Sequence, residues 1–281
     1  MGKKVGLCLS GGGARGAYQI GAVQALKELG IYEEVEVMSG TSIGAANASL
    51  LACNPVEKVK DIWFHMPEET LVVRKPMRDK SLKEIFTTLR DGIFKLDSLQ
   101  NLMFNHIKIK EIKEKEVYIT VSESGAENHG LLQLIDAGYK HYIKKIPKSH
   151  YISLHKATQD ECIKAVTTSC SIPGVFPPVI HEGKQYYDGG VFDNKPVTPL
   201  VNAGCTDIYV IEITFFIQPV NYEKKYPNVN FHIIKPSKSI GNVLDFTEEH
   251  AKRIYDMGYK DTYKYFEQEN TEFIQMKRQT V

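Results

Sequence analysis

The chain opens with an apolar run, Val5–Leu9, that stops at Ser10-Gly11-Gly12-Gly13-Ala14-Arg15-Gly16. A second short run, Val35–Met38, leads into Gly40-Thr41-Ser42-Ile43-Gly44. Runs of this length, ended by glycines, suit strands buried on both faces. Each turn opens a stretch that reads as helix. In Ala17–Leu29 the positions Ile20, Val23 and Leu26 recur at helical spacing, and Ile43–Cys53 is rich in alanine, as suits a helix packed closely on a sheet. Alternation of strand and helix through the first 55 residues predicts a parallel sheet with crossover helices.

The pattern then changes. Residues 56–116 are charged and amphipathic, with helices expected at Val56–His65, Ser81–Arg90 and Asp97–Phe104. Asp97 and Gln100 have the spacing of a capping box around Leu99, Leu102 and Met103. This segment is either a cap over a site or ordinary helical packing. Ile107–Glu116 alternates Lys and Glu and reads as a solvated helix or linker face. Strand signals return at Val117–Val121, Leu131–Ile135, Tyr151–Leu154, Asp207–Ile213 and Phe231–Ile234. Thr158 and Glu161 form a second capping box, opening a helix over Gln159–Thr168. Ser169–Pro178 is irregular, and a long helix is expected from His250 to Phe266. Neither a repeat nor a linker divides the chain, so residues 1–281 read as one domain with a helical insertion at 56–116.

Composition narrows the class. At 281 residues, 42% hydrophobic and 25% charged, the chain is long enough for a large core and ordinary for a soluble globular enzyme. A net charge of +1 gives no reason to expect nucleic acid. No apolar stretch approaches the ~18 residues that cross a bilayer, and Val5–Leu9 is too short for a signal peptide. Five scattered cysteines without a CxxC argue against a zinc site and read as reduced, buried thiols of a cytoplasmic protein. The basic patch Lys140–Lys148 reads as a solvated loop, with contact to anionic headgroups, about 1 kcal/mol per cation, as the alternative.

Chemistry concentrates at the two glycine turns. Gly11-x-Gly13-x-x-Gly16 matches the dinucleotide fingerprint, and Glu33, Glu34 and Glu36 lie about 20 residues on, so a nucleotide-dependent oxidoreductase is one reading. An anion hole and a plain tight turn are the others. The second turn favours the anion hole. Gly-x-Ser-x-Gly between strand and helix is a nucleophile elbow, with Gly40 and Gly44 giving room for the reversal that exposes Ser42. A helix N-terminus there adds partial positive charge beside a developing oxyanion. A nucleophilic serine needs a base. Among nine histidines, His232 and His250 are late enough for a triad, but one lies in a strand-like run and the other opens a helix, so both read as bystanders. Asp188, in Tyr186-Tyr187-Asp188-Gly189-Gly190, is the other candidate, and taken alone it is an ordinary Asp-Gly turn.

Taken in order, Gly-Gly-Gly-x-Arg-Gly, Gly-x-Ser-x-Gly, the segment Ser169–Pro178, Asp-Gly-Gly and Asp193-Asn194-x-Pro196 resemble the patatin-like phospholipases over about Val5–Ile213. The resemblance implies an α/β fold: a mainly parallel sheet between helices, three layers in all. It implies a serine acyl hydrolase that cleaves carboxylic esters of lipids through a Ser42–Asp188 dyad and an acyl-enzyme. Gly11, Gly12 and Gly13 would form the oxyanion hole with help from Arg15, while Gly40, Gly44, Gly189 and Gly190 shape the turns. Residues 173–178 would wall the acyl pocket. Neither metal nor other cofactor is called for, and the partner is a lipid or ester substrate, with peripheral membrane contact and oligomeric state left open. A catalytically weak family member that binds lipid or a protein is the rival within the family.

Overall fold

The computed structural model describes residues 2–66, 97–112, 115–126, 148–173, 178–214 and 221–279. The expected helix Ser81–Arg90, the expected strand Leu131–Ile135, residues 174–177 and all of the basic patch but Lys148 lie outside the described residues.

The strands are β1 (Val5–Leu9), β2 (Val35–Thr41), β3 (Glu116–Ala126), β4 (Ser149–Ser153), β5 (Val179–His181), β6 (Lys184–Asp188), β7 (Asp207–Ile211) and β8 (Asn230–Ile234). They form one sheet. Strands β3-β2-β1-β7-β8 run parallel, whereas β4, β6 and β5 pair antiparallel at the β3 end. The helices are α1 (Gly16–Glu28), α2 (Ile43–Cys53), α3 (Val56–Phe64), α4 (Asp97–His106), α5 (Ile109–Ile112), α6 (Gln159–Ser169), α7 (Thr198–Asn202), α8 (Tyr222–Lys225) and α9 (Glu248–Gln279).

Strand alternation divides the core in two. Leu7, Leu9, Met38 and Ile119 face a large apolar layer shared with α1, α2, α3, α6 and α9. Cys8, Val37, Ile208 and Val210 face a thinner one under α7 and α8. This is the three-layer α/β class. The thick layer also includes Trp63 from α3, Met103 from α4 and Ile112 from α5, so all three described helices of the 56–116 segment bury side chains in the main core. Ile107 is buried there too. Lys108 and Lys110 do face water, with Lys108 paired to Glu111 at 3.3 Å, but this stretch is an anchored connection rather than a purely solvated face. The box at Thr158 and Glu161 closes as expected, because it depends only on neighbouring residues.

One edge of β3 organises the site. Strand β4 pairs with residues 118–122, and β2 pairs along the opposite edge, ending with Thr41 beside Thr120. At Val121 that same edge passes to β6, whose last residue, Asp188, is its partner. Consecutive residues of one strand therefore receive the end of β2 and the end of β6.

Candidate active site

Ser42 stands between β2 and α2 with φ 56° and ψ −127°, a region that costs a non-glycine residue energy and persists only when its surroundings enforce it. The enforcement is visible. A Cβ on Gly40 would strike the Gly44 carbonyl, and one on Gly44 would strike the Leu9 carbonyl, so the chain reverses only with glycine at both places. The Ser42 N–H donates to Ser169 Oγ at 2.8 Å, and that hydroxyl donates to the Thr120 carbonyl at 2.6 Å. The amide is thus tied to β3 through α6, leaving the side chain to face the cleft. The Ser42 carbonyl accepts the first bonds of α2, from Ala45 and Ala46.

The Asp188 carboxylate accepts a hydrogen bond from the Gly190 N–H at 2.7 Å and faces the Ser42 hydroxyl. Burial pushes its pKa up to about 7, against the pull of the Ser42 hydroxyl and the Gly190 N–H. Gly189 lies against the Thr120 carbonyl where a Cβ would clash, which lets the turn press onto the β3 edge.

The first glycine turn completes the cleft, whose volume is about 300 Å³. Its amides are not equivalent. Gly11 N–H donates to the Asn194 carbonyl at 3.2 Å, and Ala14 N–H to the Val243 carbonyl at 2.7 Å. Among the described residues the N–H groups of Gly12 and Gly13 have no acceptor. Gly13 has φ 59° and sits so close to the Val243 carbonyl that a side chain is excluded. Arg15 donates through Nε to the Gly241 carbonyl at 2.9 Å, bracing the loop that receives Ala14. The turn therefore offers two free donors, not three, and Arg15 acts on the loop behind them.

On the other side of Ser42 lies an apolar cavity of about 60 Å³, lined by Ile43, Leu50, Trp63, Leu102 and Met103 among others. Its wall comes chiefly from α2, α4 and the loop Val243–Phe246, with Trp63 from α3. Of residues 173–178, expected to wall it, the described Pro173 borders the cleft instead, whereas Cys170 and Ile172, just before that segment, reach the cavity.

No histidine lines the cleft among the described residues. His232 stacks on Tyr209 with ring centroids 4.4 Å apart and faces Glu269 at 3.5 Å. His250 faces Asp245 at 3.4 Å and Arg253 at 3.2 Å, and burial, the main cause, lowers its pKa. The five cysteines are buried and form no disulfide. Among the described residues there is no cluster of metal-ligating side chains, and no helix is long and apolar enough to cross a membrane. Two contributors were not visible as functional in the sequence: Ser169, whose hydroxyl holds the elbow amide, and Asn194, which bonds Gly11 through its backbone and, at 3.4 Å, its side chain. Only their place in family-like blocks marked them.

Ser42, on its strand–helix elbow, and Asp188, at the end of antiparallel β6, meet along one edge of β3 in a mixed α/β sheet. The chain belongs to the patatin-like phospholipase family, whose sequence pattern matches residues 7–201. It is 25% identical over 222 residues to lysophospholipase NTE1 of Kluyveromyces lactis, covering 75% of this chain and 13% of that protein. Lysophospholipase nte1 of Aspergillus terreus is 28% identical over 214 residues, covering 75% of this chain and 12% of the relative. The chain thus spans a small part of these relatives' length. Among solved structures, VipD from Legionella pneumophila has a TM-score of 0.51 at 16% identity, covering 95% of this chain and 67% of VipD. Human GIVD cytosolic phospholipase A2 has a TM-score of 0.50 at 10% identity, covering 94% and 59%. At these identities the likeness is one of fold.

Proposed function

We propose that the protein hydrolyses carboxylic esters of lipids with Ser42 as nucleophile and Asp188 as its base. One arrangement carries this reading: a strained, buried serine that shares a cleft with a carboxylate of raised pKa and with two amides without acceptors. Ser42 Oγ attacks the ester carbonyl carbon while its proton passes to Asp188. The oxyanion forms within reach of the Gly12 and Gly13 N–H groups, donors that cost no reorganisation because the turn already fixes them. Collapse breaks the ester bond, the leaving alcohol takes the proton from Asp188, and an acyl-enzyme remains. Water, activated by the same carboxylate, then releases the acid. A pKa near 7 suits Asp188 to both proton transfers at neutral pH. The apolar cavity beside Ser42 supports binding of an acyl chain, and a lysophospholipid, the class named for the fungal relatives, is the substrate proposed. Leu244, exposed at the cavity rim, supports meeting that substrate at a lipid surface.

A fluorophosphonate probe tests the reading. The folded wild type is expected to label at Ser42 and to lose labelling in Ser42→Ala. A folded wild type that neither labels nor turns over short-chain or lysophospholipid esters overturns it, leaving a lipid-binding member of the family.

A further inference from the structure

Beneath the cleft lies a buried polar chain that the proposed chemistry does not use. Asn47, on α2 and fully buried, donates through Nδ2 to the Gly16 carbonyl at 3.0 Å and to Gln19 Oε1 at 2.9 Å. Gln19, equally buried, donates in turn to the Ser10 carbonyl at 2.8 Å. Asn47 Oδ1 accepts the indole N–H of Trp63 at 2.9 Å.

The positions of these bonds matter more than their number. Ser10 and Gly16 are the entry and exit of the turn that holds Gly12 and Gly13. Both carbonyls are fastened to Asn47, one directly and one through Gln19. Asn47 sits on the helix that Ser42 begins, so one helix places both the nucleophile and the donors facing it. The remaining acceptor on Asn47 goes to Trp63, whose ring lines the apolar cavity. A buried network of this kind is stiff when every member is satisfied, and cutting one link leaves buried groups unpaired.

We infer that Asn47 is a positioning residue, which fixes the Gly12–Gly13 amides against Ser42 and links their geometry, through Trp63, to the acyl cavity. The inference rests on the hydrolase reading above. It assigns Asn47 no contact with the reacting atoms. What it predicts is that loosening the network degrades recognition of the tetrahedral state while ground-state binding persists.

Three variants separate the links. Asn47→Leu removes all three bonds, Gln19→Met cuts the tie to Ser10, and Trp63→Phe keeps an aromatic wall but deletes the N–H. Each is measured per active site, titrated with fluorophosphonate, for kcat and KM on a butyrate ester and for inhibition by a trifluoromethyl ketone, which mimics the tetrahedral state. A misplacement of about 1 Å is able to cost about a hundredfold in rate. Asn47→Leu is therefore expected to lose about a hundredfold in kcat, and Gln19→Met and Trp63→Phe about tenfold. KM should stay within about twofold, and ketone affinity should weaken in step with kcat/KM. If Asn47→Leu does not fold, the two milder variants decide the matter. Wild-type kcat and ketone affinity per titrated site in Gln19→Met and Trp63→Phe overturn the inference, even if both melt earlier. That result is distinct from failure of the hydrolase reading, in which the wild type itself does not label.

Discussion

The two sides of Ser42 are built from different materials. Toward Asp188 the wall sets a few polar groups, the amides of Gly12 and Gly13 and the Asn194 side chain, among Ile172, Pro173, Val191 and Val243. Toward α3 and α4 they are apolar side chains: Trp63, Leu102 and Met103. The polar side is held by close contacts that only glycine permits, so it tolerates little. The apolar side is held by shape and volume, so it is able to change preference without losing chemistry. Damage on the polar side should therefore appear in rate, and damage on the apolar side, apart from the Trp63 N–H that ties it to Asn47, in which substrate is chosen.

Ser42→Ala is the largest test. Loss of the nucleophile should lower kcat by about 10⁵-fold or more with the fold intact, as judged by an unchanged far-UV spectrum and melting transition. Turnover retained to within about a hundredfold would remove the serine from the centre of the comparison.

Asp188→Asn should cost about 10⁴-fold in kcat. The same group also sets the pH behaviour. Wild-type kcat/KM should rise through about pH 7 and then level, because only the ionised carboxylate accepts the serine proton. Its effect on stability has the opposite sign. The pKa is about 7 in the folded chain against an ordinary 3.8, so between those values the folded state keeps a proton that the unfolded chain has released. Stability is then lost as pH rises across that window, at up to about 1.4 kcal/mol per unit, and stays low above it. Asp188→Asn lacks this titration. Urea unfolding should show its stability relative to wild type improving by a few kcal/mol between about pH 4 and pH 8. A gap that does not move with pH would mean Asp188 is not held near neutrality.

Ser169→Ala releases the elbow amide without touching the cleft. We expect about a tenfold loss of kcat and about 1–3 kcal/mol of stability, from leaving the buried Ser42 N–H unpaired. On the apolar side, Leu102→Trp should fill the cavity and shift the ratio of kcat/KM for octanoate over acetate esters down by about tenfold, with acetate turnover nearly constant. Equal losses on both esters would show that this wall serves the chemistry as well as the choice of chain.

Much of this was legible in the chain because it is local. Val5–Leu9 and Val35–Met38 read as buried strands, the second running on to Thr41 in the fold, the Thr158–Glu161 box closes as its spacing requires, and Gly40 and Gly44 mark the elbow by themselves. The antiparallel end of the sheet was harder. Val179–His181 and Lys184–Asp188 are short, partly polar and paired at an edge, so they lack the continuous apolar signal of the parallel strands. Ile107 and Ile112 were hidden by the alternating charges around them.

The sequence by itself determined the turns, because a glycine requirement is a property of a few neighbouring residues, and it placed Ser42 at a strand–helix corner. It could name Asp188 only through a resemblance, since an Asp-Gly-Gly turn looks the same wherever it folds. The tertiary structure decided the rest. Parallel and antiparallel pairing along one edge of β3 sets Thr41 beside Thr120 and Asp188 beside Val121, so the serine after the one strand meets the acid at the end of the other. It also decided which glycine amides remain free, because the acceptors that occupy Gly11 and Ala14 come from Asn194 and Val243, far along the chain. Hydrogen-bond partners at such separations leave no periodicity to read, and only the packed sheet brings them into contact.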